Sequence, residues 1–183
     1  ISFVSKSQTQ TEEYYQTKLK PNTKIGYLSY LPPAYNQQSD DFPLMIFLHG
    51  QGQRGSDLNQ LFYYGPPKMI KQGKWDLDLP FIVISPQTPT SFGGTWDPDL
   101  IDEVIDQAVA RYRVDESRIY VTGTSMGGNG TWKYATKYPH RVAAIVPICG
   151  WGTPNQACEM KDVPTWAFHN QDDRTVNVSG TNN

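Results

Sequence analysis

Ser125 lies in the run Gly123-Thr124-Ser125-Met126-Gly127-Gly128, a G-x-S-x-G match. Its hydroxyl becomes a useful nucleophile when a sharp turn lifts it clear of its neighbours and a base takes its proton. Side chains two residues to either side would collide in such a turn, and glycine at 123 and 127 removes them. A second run, His49-Gly50-Gln51-Gly52-Gln53-Arg54-Gly55, is rich in backbone that can approach a ligand closely. Acyl transfer needs two N–H donors held in advance for the oxyanion. Met126, just after the serine, is one candidate, and Gln51 in the glycine loop is the other. The Gly50-x-Gly52-x-x-Gly55 spacing also matches a dinucleotide fingerprint, but no helix and ribose-binding acid follow it. A third run, His169-Asn170-Gln171-Asp172-Asp173-Arg174-Thr175-Val176, offers two adjacent carboxylates that could orient an imidazole.

The elements around these runs fit that chemistry. Leu44–Leu48 and Phe81–Ser85 are short runs apolar on both faces, the pattern of central parallel strands. Arg118–Thr122, Val142–Pro147 and Thr165–Phe168 read as further strands, and Lys24–Leu31 as an edge-like one ending at Pro32-Pro33. Asp99–Tyr112 carries one apolar helical face, with acidic residues at its start and arginines at its end. A second helix is expected from Met126 to Tyr138, before Pro139. Alternating strands and helices imply an α/β fold whose ligands bind at the carboxyl ends of the strands. All three chemical runs follow such strands. Residues 1–23 form a polar N-terminal extension, with a short helix expected over Glu12–Leu19, and residues 24–183 form one domain.

Taken together, LHGQGQRG (Leu48–Gly55), VDESRIYVTGTSMGG (Val114–Gly128), YPHRVAAIVPICG (Tyr138–Gly150) and PTWAFHNQDDRTV (Pro164–Val176) resemble an α/β-hydrolase. The likeness is to the phospholipase/carboxylesterase-like type, near feruloyl and acetyl-xylan esterases and polyhydroxybutyrate-depolymerase-like proteins. It implies a largely parallel central sheet with helices on both faces, and a serine carboxylic-ester hydrolase working through an acyl-enzyme on Ser125. It also implies Asp173 as the acid, with Asp172 a neighbour. Short-acyl or hydroxycinnamoyl esters, free or linked to polysaccharide, are the expected substrates. Trp96 and Trp151 are candidate cleft walls for them. No cofactor or metal is implied. A serine peptidase of the same fold and a catalytically silent ligand- or carbohydrate-binding relative are the alternatives.

The histidines limit this reading. The chain has three, and in an α/β-hydrolase the base follows the acid. His49 belongs to the glycine loop, His140 is expected at the opposite end of the sheet, and His169 precedes Asp173. In resembling proteins the base sits in a later G-H-x-x-W-like loop. The expectation is therefore a hydrolase domain partial at its C-terminus, inactive until a further segment supplies the imidazole.

Composition excludes other classes. A net charge of -2 over 183 residues provides no basic field for nucleic acid. The longest apolar run, Leu44–Leu48, is far short of a membrane span. Cys149 and Cys158 are too few for a disulfide framework, and whether they bridge is open. A secreted or periplasmic setting is favoured over a cytoplasmic one.

Overall fold

The computed structural model describes residues 9–182. Six strands form one sheet in the order β1-β2-β4-β3-β5-β6. They are β1 (Thr11–Gln16), β2 (Lys24–Tyr30), β3 (Phe42–Leu48), β4 (Ile82–Pro86), β5 (Val114–Thr124) and β6 (Ala144–Ile148). β4, β3, β5 and β6 run parallel, while β1 and β2 join antiparallel at one side. Thr165 and Phe168 add isolated parallel bridges beyond β6, so Thr165–Phe168 is a partial strand.

The apolar runs fold as strands because both of their faces are covered. Leu44, Ile46 and Leu48 of β3 pack with Ile82 and Ile84 against α2 (Pro98–Arg111) and α3 (Met126–Lys137). On the other face, Val83 and Met45 meet Ile70 of α1 (Gly65–Lys71) and Trp75. α2 begins with Asp97, whose carboxylate accepts the Asp99 N–H at 2.9 Å, and Pro98 costs it nothing in the first turn. Its buried stripe is Leu100, Ile101, Val104, Ile105 and Ala108, the face expected from the sequence.

Two expectations need correction. Thr11–Gln16 is a strand, not part of a helix, and pairs with β2 from Thr11↔Ser29 to Gln16↔Lys24. Its inner face is held by tertiary partners: Glu13 pairs with Arg111, and the Tyr15 ring packs against Tyr27. β2 is consequently an inner strand with a neighbour on each side, not an edge.

The tightest packing lies where α3 meets the carboxyl ends of β3 and β6. A Cβ on Gly127 would overlap the Leu48 carbonyl oxygen. One on Gly128 would sit 2.6 Å from the Ile148 oxygen, and one on Gly130 2.6 Å from Trp96 Cβ. Gly127→Ala is therefore expected to lower unfolding stability by about 3 kcal/mol or more, since backbone cannot move aside cheaply. Gly52→Ala, with nothing within 4 Å, should stay within about 0.5 kcal/mol. Urea denaturation of both variants checks this, and equal losses would show that the contact carries no special cost.

Candidate active site

Ser125 sits between β5 and α3 with φ 57° and ψ −115°. For a residue with a Cβ this conformation costs on the order of 1–3 kcal/mol, so the surroundings must enforce it. They do so at both ends. The Ser125 N–H donates to the Ile148 carbonyl at 2.9 Å, and its own carbonyl accepts the Asn129 N–H at 3.0 Å. A Cβ on Gly123 would lie 2.6 Å from the Gly127 backbone, so only glycine lets the chain fold back there.

The glycine loop is pinned beside it. His49 is buried, and its ring settles its own tautomer. The Thr88 N–H can only donate, so it gives its proton to Nε2 at 3.1 Å. Nδ1 therefore carries the hydrogen and donates to the Gly50 carbonyl at 2.6 Å. Burial disfavours the charged ring and lowers its pKa from 6.5 to about 4. Arg54 and Gln87, which the sequence did not single out as loop braces, hold the same segment. Arg54 Nε donates to the Gln51 carbonyl at 3.2 Å, and Gln87 Nε2 donates to the Gln53 carbonyl at 2.7 Å.

Gln51 opens a 3-10 turn and Met126 opens α3, and N–H groups at such starts have no acceptor within the element. Both residues line one cleft of about 470 Å³ with Ser125, Trp151 and the segment Thr175–Asn177. Ser125 also borders a second cleft of about 390 Å³, lined by Phe47, Leu61, Tyr64 and the glycine loop. Among the described residues, no Asp, Glu, Lys or Arg lines either cleft.

Trp151 lines the first of these clefts, at 38% exposure. Trp96 does not. It is fully buried, its Nε1–H donates to the His49 carbonyl at 3.0 Å, and its ring lies 4.9 Å from the imidazole. It braces the glycine loop against Gly130 of α3 and never reaches solvent. Asn129 was missed and is the link to Trp151. Buried in α3, it accepts from the Thr95 hydroxyl at 2.9 Å and donates to the Trp151 carbonyl at 2.7 Å.

Asp173 follows the partial strand. Its Oδ1 accepts the N–H groups of Thr175 and Val176 at 2.8 and 3.0 Å. These bonds, Val176 first, hold its pKa below the ordinary carboxylate value. Its Oδ2 lies 3.6 Å from His169 Nε2. Asp172 is exposed and takes no comparable part. His140 sits just before β6, at the far end of the sheet. Cys149 and Cys158 are both free, and burial pushes the Cys149 thiol up, which keeps it protonated and weakly nucleophilic.

Residues 100–182 match the family PETase, described as PET hydrolase-like. The chain is 26% identical over 143 residues to a bifunctional acetylxylan esterase/xylanase, XynS20E, of Neocallimastix patriciarum, covering 74% of this chain and 20% of that protein. It is 29% identical over 142 residues to acetylxylan esterase A of Emericella nidulans, covering 70% of this chain and 43% of that one. The crystal structure of a thermostable esterase superposes over 96% of the chain and 50% of its own length, with TM-score 0.78 and 29% identity. The sheet order, the strained serine turn and these similarities define an α/β-hydrolase. Within that fold, the relatives and the solved structure that the chain resembles are esterases. It spans less than half the length of these two curated relatives. Among the described residues, no helix is long and apolar enough to cross a membrane.

The buried His49 ring makes stability depend on pH. The unfolded chain takes up its proton near pH 6.5, while the folded state refuses it until about pH 4. Stability is thus fully present above pH 6.5 and should fall by about 3 kcal/mol as pH drops from there to about 4. In His49→Asn that slope should vanish, although the variant is less stable throughout. Urea unfolding at half-unit pH steps measures it, and an unchanged slope would assign the effect to other groups.

Proposed function

We propose that this chain carries the nucleophile, the oxyanion donors and the acid of a serine carboxylic-ester hydrolase. The observation that supports it most is the enforced conformation of Ser125 in a cleft shared with Gln51 and Met126. In this reading the Ser125 hydroxyl attacks the ester carbonyl. The tetrahedral oxyanion takes N–H hydrogen bonds from Gln51 and Met126, the alcohol leaves, and water releases the acyl group from Ser125. Asp173 has one oxygen committed to its own turn, and its Oδ2 is the atom left to orient an imidazole.

The base in this proposal comes from outside residues 9–182. His49 has both ring nitrogens engaged, His140 is at the wrong end of the sheet, and His169 has both nitrogens paired with 2% of its side chain exposed. A segment of the same polypeptide after Asn183 is the proposed source. The substrates are short-acyl or hydroxycinnamoyl esters, free or on a polysaccharide, with the acyl or sugar ring against Trp151. Two clefts free of charged side chains suit an ester that is uncharged on both sides of its carbonyl. The similarity to acetylxylan esterases supports the sugar-linked class.

A fluorophosphonate probe on the full-length polypeptide tests this. It should label Ser125, and Ser125→Ala should remove both the label and, by a factor on the order of 10⁴–10⁶, the turnover of an aryl acetate. Asp173→Asn should keep the label but slow turnover by about 10⁴. Undiminished labelling in Ser125→Ala would overturn the assignment.

A further inference from the structure

His169 is a buried imidazole that this mechanism does not use. Its side chain is 2% exposed, yet it touches three separate pieces of the site. The Val176 carbonyl can only accept, so His169 Nε2 carries a hydrogen and donates to it at 2.9 Å. Nδ1 is then an acceptor and takes the hydrogen of the Thr181 hydroxyl at 2.7 Å, in the short helix α4 (Ser179–Asn182). The same hydroxyl oxygen lies 3.0 Å from the Gly150 carbonyl, a second acceptor that competes with Nδ1 for its one hydrogen, so Thr181 is held between the two. Gly150 is pressed against Gly128 and Asn129 at the start of α3, so close that a Cβ there would overlap the Gly128 backbone. The third contact is the Asp173 carboxylate, 3.6 Å from Nε2.

Val176 is the hinge of this arrangement. Its carbonyl is held by His169, and its N–H holds Asp173 Oδ1 at 3.0 Å. The ring therefore fixes the peptide plane on one side of Val176, and the acid depends on the plane on the other side. Thr175, Val176 and Asn177 also form one wall of the cleft that Ser125 faces. The second ring nitrogen ties that wall, through Thr181 and Gly150, to the helix bearing the nucleophile.

We propose that His169 is a positioning residue: it locks the Asp173–Val176 turn and registers it against the serine turn through Thr181 and Gly150. This rests on the reading of Asp173 as the acid. The ring is not a base for Ser125, because both nitrogens are spent and it does not line either cleft around the serine. Its two contacts can be separated by substitution. A glutamine at 169 can place an N–H where Nε2 was and keep the Val176 bond. An asparagine can reach only the position of Nδ1 and keeps the Thr181 bond.

The experiment follows the Asp173 carboxyl by carbon-13 NMR through an acid titration, alongside ester turnover by the full-length polypeptide. In His169→Leu the Asp173 titration should move up toward the ordinary value of 3.8, and kcat should fall about tenfold or more with KM changed less. His169→Gln should restore both, and His169→Asn should not. An unmoved Asp173 titration in folded His169→Leu overturns the proposal. If the leucine variant does not fold, the Gln and Asn variants decide: equal Asp173 titrations in the two overturn it. If wild type turns over no ester while the titration still shifts, the positioning role stands and the hydrolase reading falls.

Discussion

The close approach of the α3 backbone to the ends of β3 and β6 is the constraint on which the rest depends. Gly127 sits under the Leu48 carbonyl, and Gly128 sits beside Ile148 and Gly150. Neither contact survives a side chain, so the helix can enter the sheet edge only through glycine. That approach forces Ser125 to φ 57° and ties its N–H to β6. It also leaves the helix N-terminus, with its positive dipole end, beside Ser125, where the proposed mechanism puts the oxyanion. Backbone strain at one residue is held by three parallel strand pairings beneath it.

A second layer of constraint fixes what surrounds the serine. His49, Arg54 and Gln87 each hold a carbonyl of the glycine loop, which keeps its N–H groups oriented without help from a ligand. Trp96 acts from below: its bulk fills the space over Gly130, and its N–H takes the His49 carbonyl. Preorganisation of this kind matters because donors that must reorient during the reaction lose much of their value. Charge is meanwhile kept away from the clefts. Arg111 pairs with Glu13, Arg118 with Asp115, and Arg141 with Asp106, all on residues that line neither cleft around Ser125.

The central sheet and the serine turn were legible because local pattern and global role agree there. Apolar runs closed by proline and glycine can only be buried strands, and the glycines around Ser125 have no cheaper explanation than the turn they permit. Thr11–Gln16 was illegible for the opposite reason. Its six residues hold two glutamates and two tyrosines, and only partners far away in sequence, Arg111 and Tyr27, make Glu13 and Tyr15 an inward face. Trp96 was misplaced because it follows the carboxyl end of the Phe81–Ser85 run, where cleft walls are expected, while its burial comes from His49 and Gly130, distant in the chain. Asn129 was missed because a polar residue near a nucleophile looks like solvent-facing helix until Thr95 and Trp151 claim both ends of its amide.

The same logic explains how this fold uses imidazoles. A ring with a donor and an acceptor at fixed angles can join two pieces of backbone, and His49 does so between Gly50 and Thr88. His169 joins Val176 and Thr181 in the same way. A ring used like this is poor at moving protons, because each nitrogen already has a partner; in His49 burial also opposes the charged form and lowers the pKa to about 4. A general base needs the reverse: one nitrogen held by a carboxylate and the other free to face the serine hydroxyl. In the proposed mechanism Asp173 would meet the first requirement with Oδ2, since Oδ1 is given to its own turn. Under the proposed mechanism, the imidazoles that brace backbone are separate from the one that does the chemistry, and Asp173 divides its two oxygens in the same way.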